Sequence, residues 1–221
     1  MLNDNSSEFA SIAERAHASF TETHEARERA LRLSREMIRT SANSIRATHR
    51  GEVDRARELL DTVAGLAGQT DAIRDSHPGV YYAGFVEDAL KEYVEASATL
   101  SLAEGRPVAG PDELGVGAAP YLNGLADAIG ELRRFILDSL RRDDVSRCEE
   151  LLGVMDEIYT VLVSMDFPDA VTRGLRRSTD MTRGILERTR GDLTVALRQR
   201  RLEGKLAQLQ ASLEDGPQPG P

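Results

Sequence analysis

Tryptophan is absent from this 221-residue chain, cysteine occurs once, and only two of its 28 basic side chains are lysines, Lys91 and Lys205. Aromatic residues make up 5% of the sequence, which disfavours a strand-rich core and leaves few rings for stacking on bases. A lone Cys148 excludes a disulfide within the sequence, and with four scattered histidines it makes no zinc constellation. Cys148 has no His near it and reads as a core residue. No apolar run approaches a membrane span, and MLNDNSSEF lacks the basic and apolar regions of a signal peptide. The glycine-containing segments GVGAAP and GRPVAG match neither a phosphate loop nor a dinucleotide fingerprint, and no serine lies in a nucleophile elbow. These absences point to a soluble protein of a reducing compartment, with the cytoplasm as the expected location and no membrane partner.

What is present is Ala, Leu, Arg and Glu at helical spacing nearly throughout. Ser6 and Ser7 are candidate caps for a first helix ending near Arg50, where Gly51 stops it. Further helices are expected over about 52–74, 80–102, 121–141 and 144–165, with a Gly/Pro-rich connection at 104–120. Asp166 and Pro168 restart the chain for a last helical stretch to about Leu213, with Gly184 or Gly191 as possible interruptions. The expected architecture is all-α, a single bundle of six to seven helices over residues 1–213. EDGPQPGP, 214–221, reads as a disordered tail.

Two acidic trios lie on neighbouring helices. Asp88, Glu92 and Glu95 fall within a stripe about 60° wide, and Asp127, Glu131 and Asp138 within a narrower one. Like charges at such spacing repel on an isolated helix, whereas a hard divalent cation converts that repulsion into affinity. Both trios border an apolar face, where helices of a bundle bring carboxylates together for metal sites. Mg²⁺ or Mn²⁺ held there suits phosphodiester hydrolysis. The same acids also suit a solvated face, with Glu95 meeting Lys91 and Glu131 meeting Arg134.

Net charge is −9, so any nucleic-acid contact depends on local grouping of the basic residues. Arg32, Arg35, Arg39, Arg46 and Arg50, with Asn43 between them, project within a band of about 60°. A second concentration lies in RGLRRSTDMTRGILERTRGDLTVALRQRR. Guanidinium groups chelate phosphates in pairs of hydrogen bonds, so these stripes fit salt-sensitive contact with a backbone and little sequence preference. A solvated basic face accounts for each stripe equally well. His49 closes the first helix, where it fits a cap or a phosphate contact.

The stretches RALRLSREMIRTSANSIRATHRGE, LKEYVEA, PYLNGLADAIGELRR and MDFPDAVTRGLRRSTDMTRGILERTRGDLT, taken in order, resemble the translin family. The resemblance spans about Glu28 to Arg198. It implies an all-α fold of about seven helices, a barrel-like and typically octameric shell, and single-stranded RNA or DNA as partner. Within the family the chain looks like the Trax branch, whose metal-dependent endoribonuclease carboxylates lie in two segments. The EYVEA segment reads here as Glu92-Tyr93-Val94-Glu95-Ala96, and the ADxxGEL segment runs from Ala126 to Leu132. The resemblance thereby implies Glu92, Glu95, Asp127 and Glu131 as catalytic residues and metal ligands for Mg²⁺ or Mn²⁺. Asp88 and Asp138 become outer candidates, and Arg32, Arg35, Arg39, Arg46 and Arg50 guide the strand. The connection between the third and fourth helices is short beside that of animal Trax. A lone member would build its shell from copies of itself. The alternative function is a single-stranded DNA or RNA binder without catalysis.

Overall fold

Six long helices and three single turns make up the described secondary structure: α1 (Leu2–His49), α2 (Val53–Ser76), α3 (Pro78–Tyr81), α4 (Phe85–Ala103), α5 (Pro111–Leu114), α6 (Ala118–Arg141), α7 (Cys148–Val163), α8 (Asp169–Thr172) and α9 (Leu175–Glu214). The computed structural model describes residues 2–214, with side chains from 7 to 213. Apart from Glu214, which ends α9, the expected tail lies outside the described residues. So does the Ser6 side chain proposed as a cap. Helix α1 already runs through Ser7, so the expected capping position is helix interior.

The chain folds as neighbours in sequence pack in space. Helix α1 lies on α2 and α4, α4 on α6, and α6 on both α7 and α9, which also touch each other. A main core runs through this arrangement, with Met37, Val63, Leu90, Ile129, Leu132, Ile136, Met155, Leu162, Leu175 and Leu193 almost completely buried, and Ala47, Ala56 and Leu100 form a second, small cluster. Each such side chain contributes about 1.5–3 kcal/mol relative to exposure. Cys148 is buried in the same core, as expected.

Four features differ from the expected ones, each for a local reason. The last stretch restarts with Pro168 rather than Asp166 at the cap, as the single turn α8, and left-handed Arg173 (φ 55°) and Gly174 (φ 82°) separate it from α9. The expected helix over 80–102 is two, because Gly84 at φ 104° turns the chain between α3 and α4. Helix α7 starts at Cys148 rather than Asp144, because Asp143 is left-handed (φ 59°) and the Asp144 carboxylate accepts from the Ser146 backbone N–H at 3.0 Å. Helix α9 passes unbroken through Gly184 and Gly191. Each glycine costs about 1 kcal/mol relative to alanine, and burial of Leu186, Thr189 and Leu193 on the same helix offsets it.

Candidate metal centre

Helices α4 and α6 approach closely at Gly124. A Cβ added there would lie 2.6 Å from the Lys91 carbonyl oxygen and 2.6 Å from Val94 Cβ. Any side chain at this position would wedge the helices apart, at a cost of about 1–3 kcal/mol. Leu90, Val94, Leu125, Ala128 and Ile129 fill the seam. This packing leaves the border residues of the two helices facing one another. Asp127, one turn beyond Gly124, thereby comes level with Glu92 and Glu95.

Donor oxygens of Glu92, Glu95 and Asp127 all lie within 4.8 Å of one another. Their charges are poorly compensated. Burial pushes the Glu95 carboxyl up to about 8, and the charges of Glu92, Asp127 and Glu131 add to the effect. Burial also raises Glu92, with Lys91 opposing it in part. The only cation at the group is Lys91, whose Nζ is 2.6 Å from Asp127 and 3.9 Å from Glu92 among the described residues. Burial pulls the Lys91 ammonium down, but its hydrogen bond to Asp127 and the surrounding carboxylates outweigh that and raise it. The expected ion pair of Lys91 with Glu95 is thus replaced by one across the helix seam. Three oxygen donors converging from two helices, with excess negative charge, fit a hard divalent cation such as Mg²⁺ or Mn²⁺.

Glu131 stands apart from this trio. Its carboxylate is hydrogen-bonded to His49 Nε2, a contact that closes the end of α1 onto α6. The imidazole is 5% exposed and stacks on Phe135, ring centroids 4.3 Å apart. The His49 hydrogen bond, more than the distant Arg134 at 3.9 Å, holds Glu131 below the usual carboxylate range. His49 is therefore neither a simple helix cap nor free for a phosphate. Asp138 pairs with Arg141 at 3.4 Å, and Asp88 is exposed.

The arginine ladder lies on an exposed face of α1 and its end. Arg39 is paired with Glu36, Arg46 donates to Asn43, and Arg50 is paired with Glu52, while Arg32 and Arg35 make no ion pair among the described residues. Two basic residues of the second concentration lie nearer the acids. Arg173 and Arg177 line a recess of about 300 Å³ together with Asp88, Lys91 and Ser178. Beside it, Glu95 and Asp127 share a cleft of about 250 Å³ with Ser178, Met181, Thr182 and Ile185 of α9. The sequence marked that basic segment as a whole, but nothing in it singles out Arg173, which ends α8 and pairs with Glu87 at 2.9 Å, or Arg177 in the first turn of α9.

A helical bundle with carboxylates gathered at the seam of two central helices defines the class. No family model matches the chain. A relative from Methanocaldococcus jannaschii, itself uncharacterised, is 30% identical over 188 residues, covering 85% of this chain and 83% of its own. The crystal structure of AfC3PO superposes with a TM-score of 0.80 at 36% identity, covering 85% of this chain and 98% of that one. The same protein in complex with duplex RNA superposes with a TM-score of 0.79 at 35% identity. NeC3PO, at 20% identity and a TM-score of 0.74, shares the fold. C3PO is the translin/Trax-type complex, and the chain belongs to this family.

Proposed function

We propose that this protein binds RNA and cleaves single-stranded RNA internally with the help of Mg²⁺ or Mn²⁺. The observation that carries the reading is the convergence of Glu92, Glu95 and Asp127 from two helices within 4.8 Å. In support of nucleic-acid binding, AfC3PO, a similar protein, has been solved with duplex RNA.

Glu92, Glu95 and Asp127 would hold the cation. When bound, it would supply Lewis-acid polarisation of a phosphodiester and lower the pKa of an attacking water. Glu131, set apart from the trio and oriented by His49, would serve as a hydrogen-bond acceptor for a water or a ribose hydroxyl. Lys91 neutralises Asp127 and would hand that role to the incoming cation. Arg177 would take phosphate oxygens next to the acids, whereas Arg173 is engaged by Glu87 at 2.9 Å and would have to leave it to do so; the exposed ladder from Arg32 to Arg50 would extend the track. Copies of the chain would assemble with one another, an octameric shell being the form the family resemblance implies.

The test is a time course on fluorescent single-stranded RNA with Mg²⁺, Mn²⁺ or chelator, beside the Glu92→Ala and Asp127→Ala variants and a parallel duplex. The reading requires cation-dependent cleavage of the single strand that both variants lose while retaining binding. Binding without cleavage under either metal would leave a non-catalytic binder of single-stranded DNA or RNA.

A further inference from the structure

The two longest helices each carry an exposed apolar stripe that packs on no other helix among the described residues. Helix α1 packs on α2, α3 and α4, and α9 on α6, α7 and α8. Before Ala26, the α1 side chains from Glu8 onward are exposed except Ala16, which is partly so. Phe9, Ile12 and Phe20 are 68%, 45% and 74% exposed there. Together with Ala16 they form one stripe at helical spacing. In α9, Ala196 and Leu197 are still partly buried, Leu197 against the core, and from Arg198 to Leu213 every side chain is exposed. Val195, Leu202, Leu206, Leu209 and Leu213 are between 51% and 74% exposed. Their spacings of seven, four, three and four place them at seam positions of a heptad repeat, with Gln199 at the one seam position skipped. Helices draw most of their stability from packing of an apolar face, and here two such faces have nothing to pack against among the described residues.

Their charges are opposite. Residues 7–25 hold Glu8, Glu14, Glu22 and Glu25 against Arg15, a net of −3 with histidines neutral. Residues 195–213 hold Arg198, Arg200, Arg201 and Lys205 against Glu203, a net of +3. Arg200 is engaged by Asp143. Among the described residues Arg198, Arg201 and Lys205 make no ion pair, and neither do the four glutamates of the α1 arm. The stripes also match in length: Phe9–Phe20 and Leu202–Leu213 each span 12 residues, about 18 Å of helix. Both lie outside the segment from about Glu28 to Arg198 that carries the family resemblance.

We propose that the acidic arm of α1 in one copy docks along the basic arm of α9 in a second copy, as a two-stranded coiled coil. Apolar stripes form its seam, and the flanking glutamates and basic residues select the partner. Each copy carries both halves, so a pair of copies related by a two-fold axis makes the contact twice. The contact shares with the proposed function the expectation of self-association but uses none of its carboxylates.

Sedimentation velocity of the full chain, without RNA or divalent ions, tests this. Arg198→Glu/Arg201→Glu/Lys205→Glu and Glu8→Lys/Glu14→Lys/Glu22→Lys alter only exposed side chains, and circular dichroism checks that each stays helical. Each variant alone should self-associate about tenfold more weakly than the unaltered chain. Mixing the two should restore association, because the reversed charges again oppose. Leu206→Glu/Leu209→Glu should weaken it with no rescue by the mixed partner. The proposal is overturned if the unaltered chain is monomeric, if the charge variants sediment like it, or if mixing restores nothing. Loss of RNA affinity in the α9 variant with unchanged sedimentation would also overturn it, making that arm a nucleic-acid contact. Cleavage by Glu92→Ala is read separately, so failure of either idea leaves the other standing.

Discussion

Glu95 and Glu131 sit on adjacent helices, close enough for the charge of Glu131 to reach Glu95, yet their environments pull in opposite directions. Glu95 is pushed up to about 8 by burial and by carboxylate neighbours, whereas Glu131 is held low by its hydrogen bond to His49. Burial alone does not separate them, since both are partly buried. The difference is whether a partner compensates the charge. Glu131 has a nearly buried imidazole fixed by stacking on Phe135. Glu95 faces two further acids and shares with them a single lysine that is bound to Asp127. An uncompensated carboxylate group of this kind stores unfavourable energy that a cation can relieve.

The largest break in this contrast comes from the uncompensated side. Asp127→Ala removes one of three converging donors and should lower cation-dependent RNA cleavage by more than about 100-fold, the upper end for loss of an outer partner. Single-turnover cleavage with Mn²⁺ measures it. On the compensated side, His49→Ala frees Glu131 and should cost about 10–100-fold in the same assay. It should leave the trio's Mn²⁺ affinity within a few fold of the unaltered chain, which calorimetry checks.

Lys91→Met sharpens the comparison by removing the resident cation. Without metal the trio then repels itself, and the melting temperature in chelator should fall by a few degrees for about 1 kcal/mol lost. Added Mn²⁺ should raise it by more than in the unaltered chain, because no ammonium has to be displaced. The smallest effect is the dependence on pH. Glu95 has a folded pKa above its ordinary value near 4.5, so the folded state holds more protons than the unfolded state between 4.5 and about 8. Its contribution to stability therefore falls as pH rises through that window. Glu95→Gln should flatten this part of a chelator-containing denaturation series, and Mn²⁺ should flatten it in the unaltered chain.

Much of this was legible in the sequence, and the parts that were not share one cause. Helical spacing placed Glu92 and Glu95 on one edge and Asp127 and Glu131 on another. It also located the long helices to within a few residues at most ends. The partners of these acids were not legible. Spacing rules describe neighbours on one helix, and from them Lys91 was paired with Glu95. In the fold it reaches Asp127 instead, because the bare backbone at Gly124 brings α4 against α6. His49 is 82 residues from Glu131 in sequence, so no local pattern could join them. Likewise, Arg173 and Arg177 come to the recess of Asp88 and Lys91 only through the way α8 and the start of α9 pack on the bundle. The single turns α3, α5 and α8 escaped for a different reason: each is four residues long, too short to show a period.

The central claim is that Glu92, Glu95 and Asp127 together take up a divalent cation. It is tested most directly by titrating Mn²⁺ into the RNA-free protein and following free ion by electron paramagnetic resonance, beside Glu95→Gln/Asp127→Asn. The account predicts saturable binding in the unaltered chain that the double variant loses. No binding in the unaltered chain, or equal binding in both, would contradict it.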